Sequence, residues 1–170
     1  MPVITGRAMM DAVMHEVAEK ALDNVAKEVL ELLRKSIQEN VYDPYTAKVR
    51  VYDRQPFAKS FLGSWKNEPV KTLGNTISAT IDQDTERMEH DPKHFIHGSN
   101  HSDQGDDIRE ALAEILNEGL TGSYFDWTQP PPYWWKERRP YWDQFVVMFE
   151  DGTIHRLMIK EFALLGIKLI

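Results

Sequence analysis

One long apolar stripe near the start of the chain restricts its fold more than any other feature. Met10, Val13, Val17, Ala21, Val25, Val29, Leu32 and Leu33 recur at steps of three and four residues. That spacing predicts a single amphipathic helix from about Met9 to Gln38. The opposite face carries Asp11, Glu16, Glu19, Lys20, Asp23, Lys27, Glu28 and Glu31. Among these, Glu16–Lys20 and Asp23–Lys27 place acid before base four residues apart, which favours the helix by a few tenths of a kcal/mol each. A helix of roughly 30 residues is ~45 Å long. Since that exceeds the width of a small domain, one end is expected to project or to pack on another copy of the chain. Val13, Val17 and Ala21 are the candidate contacts on the stripe.

Composition narrows the partners. The 170 residues fit one structural domain, 1–170, large enough to bury a core. A formal charge of −7 with scattered Lys and Arg opposes nucleic-acid binding through phosphate neutralisation. An acidic wall that lets DNA slip past is compatible with it. The chain has no cysteine, hence no disulfide framework and no thiolate metal site. No apolar run approaches the ~20 residues of a membrane span, and no membrane partner is expected.

Along the chain, Val49 and Val51 suggest a short extended run, and Gly63 a bend. Lys71–Gly74 reads as a turn, followed by one half-buried strand over Thr76–Asp82. Residues 88–107 are polar, with Pro92, Gly98 and Gly105, and are expected to form a mobile loop. A helix is predicted over Ile108–Gly119, with Asp106 and Asp107 at its positive end. Residues 127–140 hold Trp127, Trp134 and Trp135, with Tyr133 and the run Pro130–Pro132, and are expected to be a stiff connector. Tyr133, Trp134 and Trp135 are further interface candidates, and Pro140 is expected to start the helix that carries Trp142 and Phe145. Between Phe145 and Lys160, Asp151-Gly152 permits either a break between two helices or a β-hairpin. The longer helical periodicity of Leu157, Met158, Glu161, Phe162 and Leu165 favours the helices.

The sharpest chemical candidate is the group His90, His94, His97 and His101. Steps of four, three and four would put these rings on one helical face in zinc-like spacing. Pro92 and Gly98 break the helix that this requires, and no Glu sits between paired histidines. The four are low-ranking metal candidates, and a small metal-dependent enzyme or binding module built on them is the alternative reading. No phosphate cradle, nucleophile elbow or Cys nucleophile is present. The chain reads as a non-enzyme without a cofactor.

Taken in order, several short motifs resemble a known architecture. A long N-terminal helix is followed by Leu62-Gly63-Ser64-Trp65, a strand near Ile77–Ile81, and Arg139-Pro140-Tyr141 before the C-terminal helix. This order resembles the head–tail joining, neck or tail-completion minor structural proteins of long-tailed bacteriophages. In that family an Arg-Pro-aromatic motif precedes the last helix. Its Val-Asp-Thr-Gly-x-Leu segment is replaced here by Asp53-Arg-Gln-Pro-Phe57, and Glu118-Gly119 matches its Glu-Phe-Gly-Thr imperfectly. The resemblance implies an α+β fold with a long N-terminal amphipathic helix, a small antiparallel sheet, shorter helices and a C-terminal helical arm. It further implies a virion protein of the neck or tail, made in the bacterial host cytoplasm. There it would form a homo-oligomeric ring, hexameric or dodecameric. Its partners would be other neck, portal-side or tail-tube proteins, with passive contact to translocating DNA.

Overall fold

The computed structural model describes residues 6–44, 59–88, 112–118 and 138–167. The fold is α+β, as the sequence implies. Helix α1 spans Arg7–Ile37 and continues into a π-helical turn over Gln38–Tyr42. Arg34 and Lys35 lie in its last α-helical turn, where cations complement the negative end of the dipole. Helix α2 is the single turn Phe61–Ser64, capped by Ser60, whose Oγ accepts from the Gly63 N–H at 3.1 Å. The expected bend at Gly63 is thus one turn of helix.

The strands are β1 (Trp65–Asn67), β2 (Lys71–Leu73), β3 (Thr76–Ser78) and β4 (Ile81–Gln83). β1 pairs with β4, and β2 with β3, the latter antiparallel with Leu73 opposite Thr76. This corrects two expectations. Lys71–Leu73 is strand, and only Gly74-Asn75 turns, with Gly74 at a φ of 60° that an L side chain rarely adopts. The one strand expected over Thr76–Asp82 is two, parted at Ala79-Thr80, because its halves pair with different partners.

Helix α3 spans Leu112–Glu118, α4 Tyr141–Glu150 and α5 Thr153–Leu164. Asp151-Gly152 is therefore a helix break. Gly152 adopts a φ of 77°, and Asp151 Oδ1 accepts from the Thr153 N–H at 2.8 Å. Gly166, at a φ of 84°, ends α5 while the Ile167 N–H returns to the Phe162 carbonyl at 2.8 Å.

The chain resolves into two compact units. The first comprises Met1–Leu32, Asn67–Asp82 and Val147–Ile170, and the second Leu33–Lys66 and Gln83–Val146. In the first, the buried stripe of α1 is Ala21, Val25, Ala26, Val29 and Leu30. Asn24 donates to Glu161 at 2.9 Å and Lys160 to Glu28 at 2.6 Å, tying α5 alongside α1. In the second, Leu33, Ile37, Val41, Phe61, Trp65, Leu116, Tyr141 and Phe145 are buried. Their rings meet edge-on: Phe61 lies 6.1 Å from Trp65 and 5.6 Å from Tyr141, with near-perpendicular planes.

Trp142 behaves differently from its neighbours. It stacks on Trp65 at 6.0 Å yet remains 41% exposed, so Tyr141 and Phe145 are the anchors of α4. Truncating Phe145 to Ala is expected to destabilise the fold by about 3–5 kcal/mol, the usual range for a buried aromatic. Trp142→Ala should have a clearly smaller effect, because one side of its ring already faces solvent. Chemical denaturation of the two variants beside the parent checks the order; equal midpoint shifts would contradict it.

Candidate functional site

Among the described residues, the exposed large apolar side chains are the candidates for a functional surface. On α1 the stripe that is buried from Ala21 onward continues toward the N-terminus through Val17 and Val13, both half-buried. It then emerges: Met14 is 39% exposed and Met10 54%, with Met9 beside them also exposed. Spacings of four, three and four from Met10 through Met14 and Val17 to Ala21 keep these residues in one line. Of the three contacts expected on this helix, Val13 and Val17 therefore border the exposed patch. Ala21 does not, being enclosed by its own chain at 0% exposure. Met14 was missed by the sequence reading although its i+4 relation to Met10 signals it.

Two ion pairs frame this patch. Lys20 Nζ lies 2.6 Å from Glu16 Oε1, and by hydrogen bond and charge it holds the Glu16 carboxyl below its ordinary range. Arg7 Nε is 4.0 Å from Asp11 Oδ2, a looser contact between two well-exposed groups. Across the helix, Glu19 accepts from Thr72 Oγ1 at 2.5 Å, tethering the β2–β3 hairpin to α1.

In the second unit the Arg-Pro-Tyr motif is built into a polar node. The Asn117 side chain is buried, and its Oδ1 accepts from the Trp142 N–H at 3.1 Å. That satisfies one of the open donors in the first turn of α4. The Asn117 carbonyl accepts from Arg138 Nε at 3.2 Å, and the Leu116 carbonyl from the Arg139 N–H at 3.0 Å. Arg138 also pairs with Asp143. Pro140 sits just ahead of α4, its carbonyl accepting from the Gln144 N–H at 3.1 Å. Tyr141 is 2% exposed; its hydroxyl donates to the Ala113 carbonyl at 3.2 Å, and its own carbonyl accepts from Ser36 Oγ at 2.7 Å. Burial pushes its phenol well above the ordinary tyrosine range. Nothing in the sequence pattern singled out Ser36 or Asn117, since both act through backbone groups distant in the chain.

Tyr133, Trp134 and Trp135 lie outside the described residues, as do His90, His94, His97 and His101 and the run at Val49 and Val51. Among the described residues no group of three or more His, Asp or Glu side chains could hold a metal ion. No helix among them is long and apolar enough to cross a membrane. The other shifted ionisable groups have structural causes. The Thr153 hydrogen bonds hold Asp151 down, and the Glu28 hydrogen bond raises Lys160.

The model of the YomN family, which is phage-derived and of Bacillus phage type, matches residues 7–162, and the chain belongs to that family. The match begins at the first residue of α1 and ends within α5. No curated protein and no solved structure matches the chain.

The Tyr141 environment sets a pH dependence. A phenol whose folded-state pKa is raised contributes stability that is fully present below pH ~10 and is lost as pH rises further, because the unfolded chain ionises first. Relative to Tyr141→Phe, the parent should lose up to ~1.4 kcal/mol of additional stability per pH unit above pH ~10. Urea denaturation of both proteins between pH 8 and pH 11 checks this; parallel curves would exclude it.

Proposed function

We propose that this member of the YomN family is a structural subunit of a tailed-phage neck, head–tail connector or tail-completion ring. It would join capsid to tail and form part of the DNA conduit, with no catalytic step and no cofactor. The observation that carries this reading is the apolar stripe of α1, which runs from the core out into solvent at Met10 and Met14. An apolar line that a subunit leaves uncovered is suited to contact with neighbours. The phage origin of the family supports the setting. So does the order of motifs, with Arg139-Pro140-Tyr141 seated as the start of the C-terminal helices. A charge of −7 suits a wall that must not grip passing DNA. In this reading the partners are further copies of the chain and adjoining portal-side or tail-tube proteins, and the protein resides in the virion.

The test is genetic and visual. Disrupting the gene in its phage should yield DNA-filled heads and separate tails by electron microscopy, with joining restored by the parent gene in trans. The protein should also be found in purified particles by mass spectrometry. Joined, infectious virions that lack the protein would overturn the reading.

A further inference from the structure

Glycine follows an Asp or Asn at only one point in the chain, Asp151-Gly152. Such a dipeptide is open to a backbone rearrangement, because a glycine amide with no Cβ beside it approaches the preceding side-chain carboxyl freely. The Gly152 nitrogen adds to Asp151 Cγ, and the side-chain hydroxyl leaves with the amide proton as water. Water then opens the resulting five-membered imide at either carbonyl. One opening restores aspartate. The other gives isoaspartate, whose backbone runs through the former side chain and is one methylene longer. No reagent other than water takes part.

The groups that this closure must move are all held. The peptide plane between Asp151 and Gly152 is gripped at both ends: Arg156 Nη1 donates to the Asp151 carbonyl at 2.9 Å, and the Gly152 N–H donates to the Phe149 carbonyl at 3.4 Å. Swinging the nitrogen onto Cγ turns that plane and breaks both bonds. The carboxylate is occupied as well. Its Oδ1 accepts from the Thr153 N–H at 2.8 Å and lies 3.5 Å from Arg156 Nη2. The Thr153 hydrogen bonds first, and the Arg156 charge last, keep the carboxyl below its ordinary range and so in the ionised form, which has no hydroxyl to expel. Thr153 Oγ1 in turn seats Arg156, accepting from Nη2 at 2.7 Å.

We infer that Asp151-Gly152 is a latent isoaspartate site that the α4–α5 junction keeps closed, with Arg156 locking the peptide plane. The glycine that creates the hazard cannot simply be exchanged, since Gly152 adopts a φ of 77° that L side chains rarely take. The break between the helices thus needs this dipeptide and restrains it through its neighbours. A methylene inserted here would displace the start of α5, the helix that Asn24 and Glu161 pin to α1. The chemistry is the same whatever the chain assembles with, so it stands or falls apart from the proposed ring.

The test is slow isomerisation at neutral pH. The parent is incubated folded and in guanidinium chloride, and Arg156→Ala and Tyr141→Phe are incubated folded, below their melting temperatures. Peptide mapping then separates the isoaspartyl peptide at position 151 from its aspartyl isomer of equal mass. The folded parent should isomerise about 10-fold more slowly than the unfolded chain, because the junction must open first. Arg156→Ala should raise the folded rate about 3–10-fold, the weight of one such contact. Tyr141→Phe, weakened in the second unit and unaltered here, should keep the parent's rate. A folded parent that isomerises as fast as the unfolded chain would overturn the inference. So would a folded Arg156→Ala protein at the parent's rate, or a Tyr141→Phe protein accelerated as much as Arg156→Ala, since the rate would then follow overall stability and not the junction.

Discussion

Within the second unit, the seating of Tyr141 is the interaction on which the rest depends. One residue engages three segments far apart in sequence: Ser36 donates to its carbonyl, its hydroxyl donates to Ala113, and Phe61 meets its ring edge-on at 5.6 Å. Each hydrogen bond contributes only about 0.5–1.5 kcal/mol net. Leaving any of these buried polar groups without a partner would be more costly, so the three segments are held to one arrangement. Pro140 then gives the position its rigidity. With φ fixed and no N–H to satisfy, it lets Tyr141 open α4 directly, while Asn117 accepts from the next free amide. The aromatic packing of Trp65 and Phe145 follows from where that ring is placed.

The first unit is held by different means. Its α1 contribution is small: Ala21, Val25, Ala26 and Val29 are buried but small, and cover little area each. Polar pins supplement them. Glu161 is almost wholly buried, and Asn24 donates to it, with Lys160 Nζ 4.0 Å away on the other oxygen. A buried carboxylate adds little net stability, but removing its partner is strongly unfavourable. Asn24–Glu161 therefore acts to fix the register of α5 on α1. Lys160–Glu28, more exposed, reinforces the register with less energy.

What could be read from the sequence follows from the range of the interactions involved. The long helix, the α4–α5 break at Asp151-Gly152 and the end at Gly166 were legible because each is local: periodicity or a residue suited to positive φ. The hairpin was misplaced because Gly74-Asn75 was not recognised as the two-residue turn it is, with alternating residues on both sides. Helical spacing put Trp142 and Phe145 on one helix but could not tell which ring is buried: the register turns Tyr141 and Phe145 inward and leaves Trp142 half out. Ser36 and Asn117 were invisible, since a hydrogen bond to a backbone group 105 or 25 residues away leaves no local pattern. Of the interface candidates on α1, Val13 and Val17 are half-buried, whereas Ala21 is enclosed by its own chain. Where a stripe passes from core to surface depends on where the packed neighbour ends.

That last point bears on why the stripe changes character along its length. From Ala21 to Val29 it uses small and β-branched residues, which fit a close, rigid neighbour within the chain. At Met10 and Met14 it uses long unbranched side chains, which lose little helix propensity and adapt to a surface not supplied by the same core. If the N-terminal turns existed only to be solvated, charged side chains would serve better on that line, as they do at Glu16 and Lys20 beside it. One stretch of the line is thus suited to packing within the chain, and the next, at Met10 and Met14, to contact beyond it.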